Sequence, residues 1–191
     1  MSGGALILLA LAIPICGAVL LSVIGRFAHL RNEVSLVTSC GLLAAVAALV
    51  PSVMVGDRPS ISLFEFAPGL EFAFEVEPLG MLFALLASFL WIVTTIYSIG
   101  YLAANGEPHR TRFHICFSLA LASVIGIAFA GNMLTLFFFY EALTLCTYPL
   151  VAHSGTEEAR RGARRYLAIL LSTSIVLLLL AILWTWVAVG T

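Results

Sequence analysis

Six runs of about twenty apolar residues, separated by short polar breaks, dominate the chain. At ~1.5 Å of rise per residue, each run is long enough to cross the ~30 Å hydrocarbon layer of a bilayer as a helix. Only 10% of the 191 residues are charged and 62% are hydrophobic, too little charge to cover a water-exposed domain of this size. The sequence therefore predicts an all-α integral membrane protein, one transmembrane domain over 1–191, with helices at about 5–24, 34–54, 79–99, 113–130, 133–152 and 166–189. The first run lacks a basic flank and is too long for a signal-peptide core, so it reads as a retained helix. Pro14 within it is tolerable where neighbours satisfy the carbonyl it frees. Only Gly131-Asn132 separates the fourth and fifth runs, which implies adjacent antiparallel helices. Trp184 and Trp186 suit an interfacial anchor near the end of the sixth.

Charge placement sets an expected orientation. All nine basic residues are Arg, and there is no Lys. Arg26, Arg31, Arg110, Arg112, Arg160, Arg161, Arg164 and Arg165 fall in or beside alternate loops that share one side. The other side holds only Arg58, together with Asp57, Glu65, Glu71, Glu75 and Glu77. The positive-inside rule makes the Arg-rich side cytoplasmic and puts the N-terminus outside.

Two segments outside the spans carry their own patterns. Leu70, Phe72, Phe74 and Val76 alternate with Glu71, Ala73, Glu75 and Glu77, the period of a strand. With Ile61–Phe66 before it and Pro68-Gly69 as the turn, residues 60–77 read as an external β-hairpin, apolar face on the helix ends and acidic face in water. Residues 154–165 read as a cytoplasmic amphipathic connector, capped by Ser154 or Thr156, with Glu157 and Glu158 at its positive N-terminus. Cys16, Cys40, Cys116 and Cys146 lie within apolar runs without a close pair, which favours buried free thiols over disulfides or a metal site. No nucleotide motif, nucleophile triad or metal-ligand spacing is present, so no catalytic site, cofactor or metal is expected.

Glu141 stands apart. It is the only charged residue near mid-membrane depth, nine residues beyond Asn132. A carboxylate there costs on the order of 2.5–3.5 kcal/mol on insertion scales, and such residues line ion or proton paths. The competing reading is a neutral, hydrogen-bonded Glu that fixes helix packing. Thr144 and Tyr148 share its helix face, and Pro149 frees the carbonyl of Leu145. His153 lies at the cytoplasmic end, and Ser172, Thr173 and Ser174 lie within the sixth run. Arg164 and Arg165 either snorkel to the interface or turn inward, where they would favour an ionised carboxylate. His29, His109, His114 and His153 all map to the wet Arg-rich side, as ordinary interfacial histidines or, for His114 and His153, as a shared site.

These residues occur in an ordered set of local motifs. They are Glu77-Pro78-Leu79-Gly80, Tyr97-Ser98-Ile99-Gly100-Tyr101, Arg112-Phe113 and Asn132-Met133-Leu134-Thr135-Leu136-Phe137. Tyr140-Glu141-Ala142-Leu143-Thr144, Tyr148-Pro149-Leu150-Val151 and then Gly162, Arg165, Tyr166 and Leu167 complete the set. In this the sequence resembles the antiporter-like, proton-conducting membrane subunits of respiratory complex I (types L, M and N), and most closely the D-type membrane subunits of Mrp Na⁺/H⁺ antiporters. The resemblance runs from Glu77 into the sixth helix, and the first two helices fit by hydropathy alone. It implies that Glu141 is an intramembrane proton-transfer carboxyl working with a lysine on a later, broken helix. It also implies a bacterial or archaeal cytoplasmic membrane. Family members have about fourteen helices in inverted repeats, so the chain corresponds to an N-terminal portion, as a split subunit or as a fragment of a longer product. Arg165 stands where the family often has Lys; Arg does not readily give up its proton, so it would bias Glu141 by charge rather than relay protons.

The expected function is a proton-conducting subunit of a multi-subunit cation/proton antiporter or complex I-like complex, with no catalytic site of its own. Its expected partners are the lipid bilayer, protons with Na⁺ as a candidate coupling ion, and other membrane subunits, one of them supplying the later helices and the Lys; nucleic acid is not among them. Two alternatives stand beside it: a non-transporting structural or assembly subunit, and a membrane anchor with His114 and His153 as haem ligands.

Overall fold

A computed structural model describes residues 2–67, 69–106 and 109–189 of the chain. Its helices are α1 (Gly3–Ile24), α2 (Ala28–Ala47), α3 (Val50–Met54), α4 (Pro78–Ala104), α5 (Arg110–Ala128), α6 (Met133–Val151), α7 (Glu157–Thr173) and α8 (Leu180–Val189). Strands β1 (Ser60–Ala67) and β2 (Leu70–Glu75) lie between α3 and α4. Six helical stretches are long and apolar enough to cross a membrane, with α2 and α3 forming one and α7 to α8 another. The architecture is that of an all-α membrane protein with a short two-stranded hairpin between its second and third spans.

Several boundaries depart from the hydropathy reading, for local reasons. The second span starts at Ala28, because Arg31 and Glu33 are helical although polar. It is interrupted at Ala48 and Leu49, just ahead of Pro51, which cannot donate to the carbonyl four residues back. The third span runs on to Ala104, where Asn105 and Gly106, at φ +61°, end it. The sixth starts at Glu157: Thr156 accepts from the N–H of Ala159 and caps it, and the connector continues without a break into the apolar run. Within that span, Ser174–Leu179 forms a turn of π-helix.

Helices in lipid gain little from hydrophobic burial against one another and associate through close packing and interhelical hydrogen bonds. Small residues supply the close approaches here. A Cβ on Gly80 would collide with the carbonyl oxygen of Ala128, and one on Gly126 would collide with the Phe139 ring. Gly17 sits equally tightly on Thr38. Ser118 of α5 donates to the carbonyl of Pro14 in α1 at 2.7 Å; the bond goes to the proline's own carbonyl rather than to that of Ala10 four residues earlier. A continuous core runs through Ile7, Leu42, Val46, Leu49, Phe74, Val76, Ala84, Ile125 and Phe129.

The cysteines form no disulfide among the described residues, but they are not uniformly buried: Cys16 and Cys40 face outward. In a membrane protein an apolar-run residue can satisfy its preference at the lipid-facing surface as well as in the core.

Two sets of loops emerge. Thr111 donates to the carbonyl of Gly25 at 2.7 Å, and Arg112 to that of His153 at 3.4 Å, gathering the α1–α2, α4–α5 and α6–α7 connections at one end. The hairpin and the α5–α6 loop meet at the other end, where the N–H of Glu75 donates to the carbonyl of Phe129 and that of Gly131 to Ala73, each at 2.9 Å.

Candidate functional site

The helix that carries Glu141 is fixed at its N-terminus by the hairpin. In β1 and β2 the register pairs Ile61 with Phe74 and Phe64 with Phe72. Gly69, at φ +77°, supplies left-handed backbone at the turn, and the predicted Pro68 of that turn lies outside the described residues. Phe74 is buried and bridges to Ala130, so the α5–α6 loop acts as a short third strand beside β2. Asn132 then caps α6, its Oδ1 accepting from the N–H of Thr135 at 2.8 Å while its amide donates to the carbonyl of Glu71 at 2.7 Å. A Phe cluster completes the joint: Phe72 packs on Phe138 and Phe139 with ring centroids 5.8 Å from each, and Phe66 stacks on Phe138 at 5.8 Å. The acidic face stays outside, where Arg58 pairs with Glu75 at 3.6 Å and Glu77 at 3.3 Å. These exposed pairs contribute little stability, about 1 kcal/mol or less.

Glu141 lies eight residues past Met133, about 12 Å along a helix. Val151 is ten residues further on, so the carboxyl sits at the middle of α6. Both carboxylate oxygens are buried, and neither has a hydrogen-bond partner among the described residues. A buried, unsatisfied polar group is costly, and this one calls for a proton, a water, an ion or a further protein group to complete it. No ion pair to Glu141 is present among the described residues.

The structure brings some of the sequence-predicted residues to this carboxyl's helix face and leaves others apart. Thr144 is buried; its hydroxyl donates to the carbonyl of Tyr140 at 3.0 Å, leaving oxygen lone pairs to accept a bond. Tyr148 is half-buried one turn further on, beside Pro149. His153 follows the end of α6, with the Phe113 ring edge-on at 5.7 Å. Phe113 also stands edge-on to its neighbour His114, at 5.6 Å. Arg164 is 63% exposed and reaches back to Glu157 at 3.5 Å. Arg165 is exposed, and so is Ser172, whose hydroxyl bonds the carbonyl of Ala168 in its own helix. Of the three hydroxyls in that segment, only Ser174, at the start of the π turn, is buried.

Two features escape sequence reasoning. His114, expected in a wet interface, is 5% exposed, because α5 begins four residues before it and carries it inside the bundle. The π turn has no apolar-period signature. Burial is also uneven: 39–44% of the first, second and fourth spans is enclosed, against 11% for α6 and for the sixth span. The carboxyl therefore sits on one of the two most open helices of the bundle.

Residues 130–191 match the family described as NADH:quinone oxidoreductase/Mrp antiporter, transmembrane, and residues 67–114 match the N-terminus of complex I chain 5. Between them these matches take in more than half of the chain. The NAD(P)H-quinone oxidoreductase subunit 5 of the Paulinella chromatophora chromatophore is 27% identical over 136 residues, 68% of this chain and 20% of that protein. NADH-ubiquinone oxidoreductase chain 5 of Cryphonectria parasitica is 27% identical over 154 residues, 77% of this chain and 23% of that protein. Among solved structures, a chain of the Mrp complex from a Dietzia species superposes with a TM-score of 0.79 at 24% identity, covering 99% of this chain and 35% of that one. A chain of an archaeal membrane-bound sulfane sulfur reductase gives 0.73 at 20% identity, covering 85% and 33%. The chain thus spans about a fifth of the length of these sequence relatives and about a third of the structural ones.

Proposed function

We propose, from the premise that this chain belongs to the family of antiporter-like membrane subunits found in Mrp antiporters and complex I, that it conducts protons within a multi-subunit membrane complex, with Glu141 as the carboxyl that takes them up and releases them. The observation that carries this reading is the pair of buried, unpartnered carboxylate oxygens at the middle of α6.

The cycle is electrostatic. A cation approaching Glu141 favours the carboxylate and expels its proton; withdrawal of the cation favours the acid and reloads it. Arg164, beside Glu157, and Arg165 are exposed and supply a fixed positive charge. The mobile cation in this reading is a lysine on a later helix, as the resemblance implies, since these 191 residues hold no Lys. The open faces of α6 and of the sixth span are where further membrane helices would bring it. Thr144, Tyr148 and the carbonyl freed by Pro149 offer a polar line from Glu141 toward His153 and the Arg-rich end. That end is cytoplasmic by the positive-inside rule, the N-terminus and the hairpin lying outside. Na⁺ is the candidate counter-ion.

The test is transport by the assembled complex in vesicles. Glu141→Gln should leave assembly intact and abolish flux driven by a pH gradient. Wild-type flux by that variant would overturn the reading, and a variant that fails to assemble would favour a structural role for Glu141 instead.

A further inference from the structure

A second group of buried polar atoms lies at the Arg-rich end, away from Glu141. Arg31 is 9% exposed in the first turn of α2, and its Nε has no partner among the described residues. Ser35, one turn later on the same face, is equally enclosed, and its hydroxyl is likewise unpartnered. His114 of α5 is buried with Nε2 unpartnered, within electrostatic range of Arg31. The Arg31 guanidinium donates to the neutral amide oxygen of Asn32, at 3.3 Å, a contact that leaves its charge uncompensated.

The surrounding field has the sign that calls for an anion. The positive end of a helix dipole is stabilised by negative charge and destabilised by positive. Yet α2 begins without an acidic residue in its first turn and without a side-chain cap from Phe27. That first turn instead carries Arg31. The starts of α2 and α5 are drawn together by the bond from Thr111 to Gly25 at the end of α1. A dipole end, a buried guanidinium and two further buried polar groups thus lie at this end of the bundle without a carboxylate partner for Arg31 among the described residues.

We infer that the seam between the N-terminal turns of α2 and α5 binds a phosphate-class anion, the headgroup of an anionic phospholipid or free phosphate, through Arg31, Ser35 and His114. Its depth suits a headgroup, since helix starts lie at the level of the lipid phosphates, and three donors match the several oxygens of a phosphate. The inference does not depend on any role for Glu141.

The experiment is native mass spectrometry and thermal melting of the purified protein after delipidation, with phosphatidylglycerol, phosphatidylcholine or inorganic phosphate added back. Phosphatidylglycerol should be retained over phosphatidylcholine, and Arg31→Gln or His114→Gln should weaken retention by about tenfold or more, the effect of losing a hydrogen bond to a charged group. Ser35→Ala, which removes one hydroxyl and no charge, should weaken it less in a fully folded protein. Inorganic phosphate that raises the melting temperature as much as the lipid does would identify free phosphate as the source; a lipid effect without a phosphate effect would identify the headgroup. Arg161→Gln changes an exposed Arg on α7, outside the seam, and should leave retention unchanged. Loss in Arg161→Gln equal to that in Arg31→Gln, or no retention of either anion by the wild type, would overturn the inference.

Discussion

Thr135 accepts the backbone N–H of Ala73 at 3.1 Å, so the first turn of the helix that carries Glu141 is bonded directly to the hairpin's second strand. Thr135 is fully buried. Thr135→Val keeps the shape and removes the acceptor, leaving the Ala73 N–H unsatisfied. The expected loss is about 1–3 kcal/mol of stability, read as a lowered midpoint in chemical or thermal unfolding of the reconstituted protein.

The contact between α4 and the end of α5 is set by the absence of a side chain. Gly80→Ala would drive a methyl into the Ala128 carbonyl, and backbone cannot rotate away as a flexible side chain can. Overpacking of this kind costs about 1–3 kcal/mol. Gly100, further along α4, has open space around it, so Gly100→Ala should be neutral or stabilising by up to about 1 kcal/mol, the difference in helix propensity. Comparing the two melting temperatures checks both predictions.

The hydroxyls near Glu141 should grade by position. Thr144→Val and Tyr148→Phe are each expected to slow proton flux without abolishing it, because each removes one member of the polar line while the carboxyl remains. Ser172→Ala should leave flux unchanged, since that hydroxyl is exposed and spent on its own helix. Initial rates of pH-gradient dissipation in vesicles separate these outcomes, and a Ser172→Ala effect as large as that of Thr144→Val would contradict the placement.

Much of this fold is legible in the sequence because each signal is local. The alternation from Leu70 to Val76 specifies a strand, and a two-residue break at Gly131-Asn132 leaves α5 and α6 no choice but to lie side by side. Glu141 stands out by cost alone. Partners across space are not legible. Nothing in the sequence tells Glu75 to bond Phe129, or Thr135 to bond Ala73, since both contacts join segments dozens of residues apart. Burial near helix ends is hidden for the same reason: His114 counts as interfacial by depth, and only the packing of α5 against its neighbours removes it from water. Sequence alone leaves Arg164 free to turn inward, and only the structure pairs it with Glu157, seven residues earlier on the same helix.

The central claim is that Glu141 itself changes protonation state, and infrared difference spectroscopy across a pH step reads this most directly. The reconstituted complex should show a carboxylic-acid carbonyl band that appears as the proton is taken up, and Glu141→Gln should erase that band while the amide bands of the folded helices persist. The same band in Glu141→Gln, at full intensity, would contradict the account.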